Sequence, residues 1–229
     1  MEAGGVTATV VAIDGPAGSG KSTVSREVAR RLGWQLLDTG SVYRAITWFG
    51  LQRGTDLDDT QAVIALMPEF LDAWRLSLDP DESWVRVGEQ DITGDIRTTE
   101  ISASVSKVAR IIPVREAVNE RFRELLFGAD AAGIVAEGRD ITTVVAPDAN
   151  VRILLTADEA ERIRRRQAEL AGDDAAAVAA TVAARDARDS QVVNFTSAAD
   201  GVTVVDSTHL DLDAVIDAVL ELIRERSGS

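Results

Sequence analysis

Residues 9–22 read Thr-Val-Val-Ala-Ile-Asp-Gly-Pro-Ala-Gly-Ser-Gly-Lys-Ser. The first part, Thr9 to Ile13, is short, apolar and β-branched, which predicts a strand buried on both faces. The second part, Gly15-Pro16-Ala17-Gly18-Ser19-Gly20-Lys21-Ser22, is a complete G-x-x-x-x-G-K-S, placed where the strand stops and a helix from Gly20 to about Leu32 is predicted to start. Glycines allow the backbone conformations that turn successive N–H groups toward phosphate oxygens, and the helix N-terminus adds a favourable dipole. Lys21 then reaches the β and γ phosphates of a nucleoside triphosphate, and Ser22 offers its hydroxyl to a Mg²⁺ bridging phosphate oxygens. The spacing is not G-x-G-x-x-G, which disfavours a dinucleotide-binding fold.

Outward from this loop the chain alternates short apolar runs with helical patterns. Gln35–Asp38 is a second predicted strand, and Thr39–Leu51 a helix ending near Gly54. From Leu71 to Arg97 the pattern changes: Trp74, Leu76 and Leu78 alternate with polar residues, Asp79 to Ser83 form a turn, and Trp84, Val85 and Val87 resume strand character. This predicts a small antiparallel insert, with Trp74 and Trp84 packing inside it. Helices are predicted over Thr98–Ala109 and after Pro113, closed by Gly128. Gly133–Ala136, Asn150–Leu155 and Val202–Val205 are further strands, Ala171–Ala184 an Ala-rich helix, and Asp211–Arg226 the last helix. The expected fold is α/β: a P-loop, doubly wound, parallel five-stranded sheet with helices on both faces and a small antiparallel β insert.

The 229 residues, 45% of them hydrophobic, suffice for one sizeable core. Twenty-four Lys and Arg against 38 Asp and Glu give a net charge of −14, which repels polyanions over most of the surface. Nucleic acid and anionic membranes are therefore not expected partners, and a phosphate ligand must be held by a local cluster of cations and amides. The chain contains no Cys, which excludes disulfides, thiolate nucleophiles and thiolate metal sites. Residues 1–9 show no basic start before an apolar run, and no stretch has bilayer-spanning length, so a cytoplasmic protein is expected.

The loop alone leaves GTPase, ATPase and kinase open. No N-K-x-D guanine-reading motif occurs, and Asp91-Ile92-Thr93-Gly94 fits D-x-x-G only inside the insert. A kinase for a phosphorylated acceptor needs a second anion site built from Arg, which grips phosphate bidentately and stays charged. Candidates are Arg44, Arg97, Arg115, Arg139, Arg185 and Arg188, the last two on one helical face. Asp38, ending its strand, either helps hydrate Mg²⁺ or caps the next helix. The single His, His209, is assigned a structural or solvent-exposed place at a helix start. A kinase for another small acceptor, such as shikimate or dephospho-coenzyme A, and a nucleotide-dependent switch are the rival readings.

Taken in register, Gly15 to Thr23, Leu36 to Arg44, Gly94 to Thr98, Val114-Arg115-Glu116, Glu137-Gly138-Arg139-Asp140, Thr143-Val144-Val145 and Arg185-Asp186-Ala187-Arg188-Asp189 resemble bacterial cytidylate kinases over nearly the whole chain. The resemblance implies transfer of the γ-phosphoryl group of ATP to CMP or dCMP with Mg²⁺. It implies that Gly15, Pro16, Ala17, Gly18, Ser19, Gly20, Lys21, Ser22 and Thr23 hold the triphosphate, with Arg162, Arg165 and Arg166 on a mobile lid above it. By the same likeness Ser106, Arg115 and Asp140 read the cytosine edge, Thr39, Tyr43, Arg185 and Asp189 surround the ribose, and Arg44, Arg139 and Arg185 hold the acceptor phosphate. Lys21, Arg139, Arg185 and Arg188 then carry the electrostatic work. The implied organisation is one kinase domain over 1–229, with core segments 6–67 and 107–226, a monophosphate-binding insert about 68–106 and a lid about 157–174; apart from the resemblance, a monomer is expected. One departure stands out: the family often has a further Arg after Asp189, where this chain reads Ser190-Gln191-Val192-Val193-Asn194. Either Arg188 or another cation covers that contact, or acceptor phosphate binds more weakly.

Overall fold

The computed structural model describes residues 8–169 and 197–227. In chain order the strands are β1 (Thr9–Asp14), β2 (Gln35–Asp38), β3 (Trp74–Leu76), β4 (Val85–Val87), β5 (Gln90–Asp91), β6 (Gly133–Gly138), β7 (Val151–Thr156) and β8 (Thr203–Asp206). The helices are α1 (Lys21–Leu32), α2 (Thr39–Gln52), α3 (Thr60–Ala73), α4 (Thr99–Ala109), α5 (Ile112–Phe127), α6 (Glu159–Glu169) and α7 (Leu212–Ser227). The predicted Ala171–Ala184 helix lies outside the described residues.

Five strands form a sheet in the order β2-β6-β1-β7-β8, and every neighbouring pair is parallel. A parallel strand is covered on both faces, and β1 shows this residue by residue. Val10 and Ala12 enter one core and Val11 and Ile13 the other, the period-two alternation of a strand. Against the Val11 face lie Val24 and Val28 of α1 and the stripe Val215, Ile216, Val219, Leu220 and Ile223 of α7. Against the opposite face lie Ile46 and Phe49 of α2, Phe70 of α3, and Val114, Val118 and Phe122 of α5. No helix of the described residues is long and apolar enough to cross a membrane.

The antiparallel insert forms as expected, in the order β3-β4-β5. Trp74 is buried there and stacks on Phe70, with ring centroids 6.1 Å apart. Trp84 is half-buried, with the Arg86 guanidinium 4.6 Å above its ring. Two features escaped the pattern of the sequence. Helix α3 runs on through Pro68, a residue that signals a break, and is started by Asp59, whose carboxylate accepts from Gln61 N at 2.9 Å and Ala62 N at 3.1 Å. After β6 the chain enters a wide turn, Ile141–Val145, in which Val145 N donates to Asp140 O at 3.2 Å and Ala146 N to Ile141 O at 2.8 Å. These are five-residue spacings, wider than those of an α-helix.

Candidate functional site

The loop between β1 and α1 takes its shape from two glycines in the left-handed region, Gly18 at φ 76° and Gly20 at φ 87°, where a side chain would be strained. Gly20 caps α1 without a side-chain hydrogen bond, so the first amides of the helix point to where an anion is favoured. The loop carbonyls are held from outside. Arg139 Nη1 donates to Gly15 O at 2.7 Å, Arg162 Nη1 to Ala17 O at 2.9 Å, and Arg165 Nη1 to Ser19 O at 3.2 Å. Three guanidinium groups thus grip alternate carbonyls from outside, and within the loop Ser19 N donates to Pro16 O at 3.4 Å. Arg165 also donates to Ser207 Oγ and O, at 2.9 and 2.7 Å, which ties α6 to the end of β8.

Beside the loop opens a cleft of about 230 Å³ at the carboxyl ends of the central strands, where open parallel sheets place their ligands. Lys21, Ser22, Thr39, Tyr43, Arg44, Ser106, Arg115, Arg139, Asp140 and Arg166 all line it. Gly15, Pro16 and Ser19 shape the loop without lining the cleft, and Arg162 and Arg165 meet the loop backbone rather than the opening. Arg97 is exposed and borders a neighbouring hollow between α1 and the insert, with Arg26 and Trp84. Arg185, Arg188 and Asp189 lie outside the described residues. His209 is exposed in the turn before α7.

One residue with no assigned role in the sequence reading sits at the centre. Glu137, only 3% exposed at the end of β6, pairs in register with Ile13 and Asp38 and accepts from Ser22 Oγ at 2.8 Å. Burial, and then the charge of Asp38, push its carboxyl up to about 7, against the pull of Lys21. Its sequence signal was an acid closing an apolar strand run just before Gly138. Thr39 Oγ1 donates to Glu137 O at 2.7 Å, which packs α2 onto this strand. Asp38 caps α2 by accepting from Ser41 N at 3.0 Å while still lining the cleft beside Ser22.

The far wall is built by α5 and the segment after β6. Arg115 donates to Asp140 Oδ2 and, from Nη1, to Ala109 O at 3.0 Å, with the two charged side chains 11% and 8% exposed. The Arg115 guanidinium lies 5.8 Å from the Tyr43 ring centre. The Tyr43 hydroxyl is buried without a partner among the described residues, and burial raises its pKa. Arg44 Nη1 donates to Ile96 O at 3.2 Å and Ser102 Oγ at 2.8 Å, linking α2 to the insert and α4.

A parallel sheet layered by helices, a Gly-rich loop after its central strand and a cation-lined cleft facing that loop define a P-loop protein of the small-molecule kinase class. A family model described as cytidylate kinase matches residues 11–225, and the chain belongs to that family. It is 49% identical over 217 residues to a protein named cytidylate kinase from Cutibacterium acnes, covering 93% of this chain and 95% of that one. It is 41% identical over 227 residues to a cytidylate kinase from Streptomyces avermitilis, covering 98% and 96%. A solved structure of an uncharacterized protein from Eubacterium ventriosum aligns with TM-score 0.52 at 13% identity over 95% of this chain and 99% of that chain, a likeness of fold alone.

Proposed function

We propose that the protein transfers the γ-phosphoryl group of ATP to CMP or dCMP, giving ADP and the corresponding diphosphate. The observation that carries this reading is the convergence, in one cleft, of Lys21 and Ser22 with Arg44 and Arg139 and with the buried Arg115–Asp140 pair. The attacking phosphate oxygen is already largely ionised at neutral pH, so the reaction needs positioning and charge neutralisation rather than a strong base. Lys21 neutralises the transferring phosphoryl oxygens, and Arg44 and Arg139 hold the acceptor phosphate, with Arg185 and Arg188 completing the set. Asp140 accepts from the cytosine amino group while Arg115 donates to the acceptor edge of the ring, with Ser106 beside them. Thr39, Tyr43, Arg185 and Asp189 enclose the ribose. The insert, about 68–106, and the lid, about 157–174, serve acceptor and donor respectively.

Mg²⁺ fits the donor set present: oxygen ligands only, with the Ser22 hydroxyl, the Glu137 carboxylate bonded to it and Asp38 alongside. Among the described residues there is no cluster of three or more His, Cys, Asp or Glu able to hold a metal, which suits an ion bound mainly through nucleotide phosphates. When bound, the ion offsets charge on the β and γ phosphates. Ser22 and Glu137 would hold it, with Asp38 beside them in the cleft.

The test is ATP-dependent phosphorylation of CMP, dCMP, UMP, AMP, GMP, shikimate and dephospho-coenzyme A, followed as product. Turnover of CMP and dCMP well above the rest is the expected result. A preference for another acceptor retains the kinase and rejects the base assignment, and tight ATP binding without turnover rejects both.

A further inference from the structure

We infer that Asp14 is a positioning residue for acceptor recognition, setting the direction in which Asp140 and Arg139 face the cleft. Asp14 closes β1, is 2% exposed and stands opposite Gly138 in the register of the sheet. Its carboxylate is filled by three donors from the segment that follows β6. Oδ1 accepts from Ile141 N at 2.8 Å, and Oδ2 accepts from Thr142 N at 2.8 Å and Thr142 Oγ1 at 2.6 Å. These are the two residues directly after Asp140, which sits at φ −145° and ψ 22°, between the strand and the wide turn. Asp140 O is held to the turn by Val144 N at 2.9 Å and Val145 N at 3.2 Å, but the first N–H groups of the turn, those of Ile141 and Thr142, have no partner within it and are held by Asp14 instead.

The same short stretch of β1 anchors the other acceptor-facing residue. Gly15, the neighbour of Asp14, supplies the carbonyl that takes Arg139 Nη1 at 2.7 Å. Residues 14 and 15 thus fix Arg139 and Asp140 to the root of the phosphate loop, so that acceptor and donor sites share one rigid reference. The chemistry demands a carboxylate. Three donors require acceptor lone pairs on both oxygens, whereas an amide in either orientation turns an N–H toward a donor, that of Ile141 or those of Thr142. Burial raises the Asp14 carboxyl above its ordinary range, and the Thr142 and Ile141 hydrogen bonds pull the other way. The far end of the turn has a separate clamp, Arg123 of α5, donating to Val144 O at 2.7 Å and Val145 O at 3.1 Å. That clamp has no bond to the Asp140 side chain and reaches Asp140 only through the Val144 and Val145 amides on its carbonyl, at 2.9 and 3.2 Å, so it controls for loosening of the far end of the turn with the Asp14 anchor intact.

The inference rests on the proposed role of Asp140 at the base. The experiment compares the full-length wild-type protein with Asp14→Asn, Thr142→Ala and Arg123→Ala, measuring the CMP KM, the CMP:UMP ratio of kcat/KM, ATP binding and melting temperature. Asp14→Asn is expected to raise the CMP KM by about tenfold and reduce the CMP:UMP ratio, with ATP affinity changed less than about twofold. Thr142→Ala shifts both in the same direction by less, and it carries the test if Asp14→Asn does not fold. Arg123→Ala lowers the melting temperature and keeps the ratio. Wild-type preference for CMP alongside folded Asp14→Asn or Thr142→Ala proteins with unchanged KM and ratio overturns this inference alone. A wild-type protein without CMP turnover overturns it together with the reading on which it rests.

Discussion

The Arg115–Asp140 pair sets two roles against each other at a single contact. Both side chains are nearly out of solvent, so each charge was stripped of water and depends on the other. Arg115→Met leaves the Asp140 carboxylate buried beside that of Asp14, and it should cost about 3–5 kcal/mol in urea unfolding. The double variant Arg115→Met/Asp140→Leu should regain most of that stability without regaining CMP turnover. A double variant as unstable as the single one would show that the pair itself holds the fold, and one with normal CMP kinetics would remove it from base recognition. Neighbouring residues were legible to different degrees. Arg115, Arg139 and Asp140 could be picked out because their motifs stand in register with a family, and the phosphate loop because its letters follow a strand and open a helix. Asp14 and Glu137 gave little local signal. Each is an acid at the end of an apolar strand, and only the parallel register brings Asp14 opposite Gly138 and Glu137 beside Asp38. What an acid does at a strand end is set by residues more than 100 positions away, such as the Ser22 hydroxyl on Glu137 and the Ile141 and Thr142 donors on Asp14.

Among elements, the sheet strands and most helices follow from patterns the chain carries locally, whereas α3 and the turn after β6 do not. Pro68 reads as a breaker, yet packing of Val63, Met67 and Phe70 into the insert-side core outweighs the lost backbone hydrogen bond. With Pro68 weakening the helix, its start should depend on the Asp59 cap. Asp59→Ala is expected to lower stability by about 1 kcal/mol with CMP and ATP kinetics unchanged. A change in KM would instead couple α3 to the cleft. The wide turn was missed because a five-residue hydrogen-bond spacing leaves no periodic apolar signal. Helix α6 offers a pH test. Glu161 accepts from Arg164 Nε and Nη2, both at 2.7 Å, and from Arg165 Nε at 2.8 Å, contacts that hold its carboxyl down at about 2, Arg164 foremost. A lowered carboxyl contributes stability that is present above its ordinary pKa of 4.5 and lost as pH falls through about 2. Glu161→Gln should therefore speed amide exchange in α6 at neutral pH, with the gap to wild type closing between about pH 4.5 and 2. Equal exchange at neutral pH would mean that the Arg165 bonds to Ser207 suffice to hold the helix.

For the whole molecule, the two apolar cores share the central strands and not merely a boundary. Val10 and Ala12 of β1 and Ile134 and Ala136 of β6 point into one core, while Val11, Ile13 and Val135 point into the other. Loss of either helix layer exposes one face of strands whose opposite face is still packed, so neither half has a stable structure to retain. The phosphate loop and the acceptor wall spring from the carboxyl ends of those same strands, and the cleft should be lost in the same step. Two of the four tryptophans report on the opposite sides: Trp34 packs against the α1–α7 core and Trp74 is buried in the insert-side core. Variants retaining only Trp34 or only Trp74, with the others changed to Phe, should give coincident urea midpoints by fluorescence, matching circular dichroism. CMP and ATP should shift both midpoints upward together, because ligand bound only to the folded chain stabilises every part that unfolds with it. A Trp74 midpoint below that of Trp34, with nucleotide moving only one of them, would divide the molecule into two cooperative units and place the insert-side layer in a transition of its own.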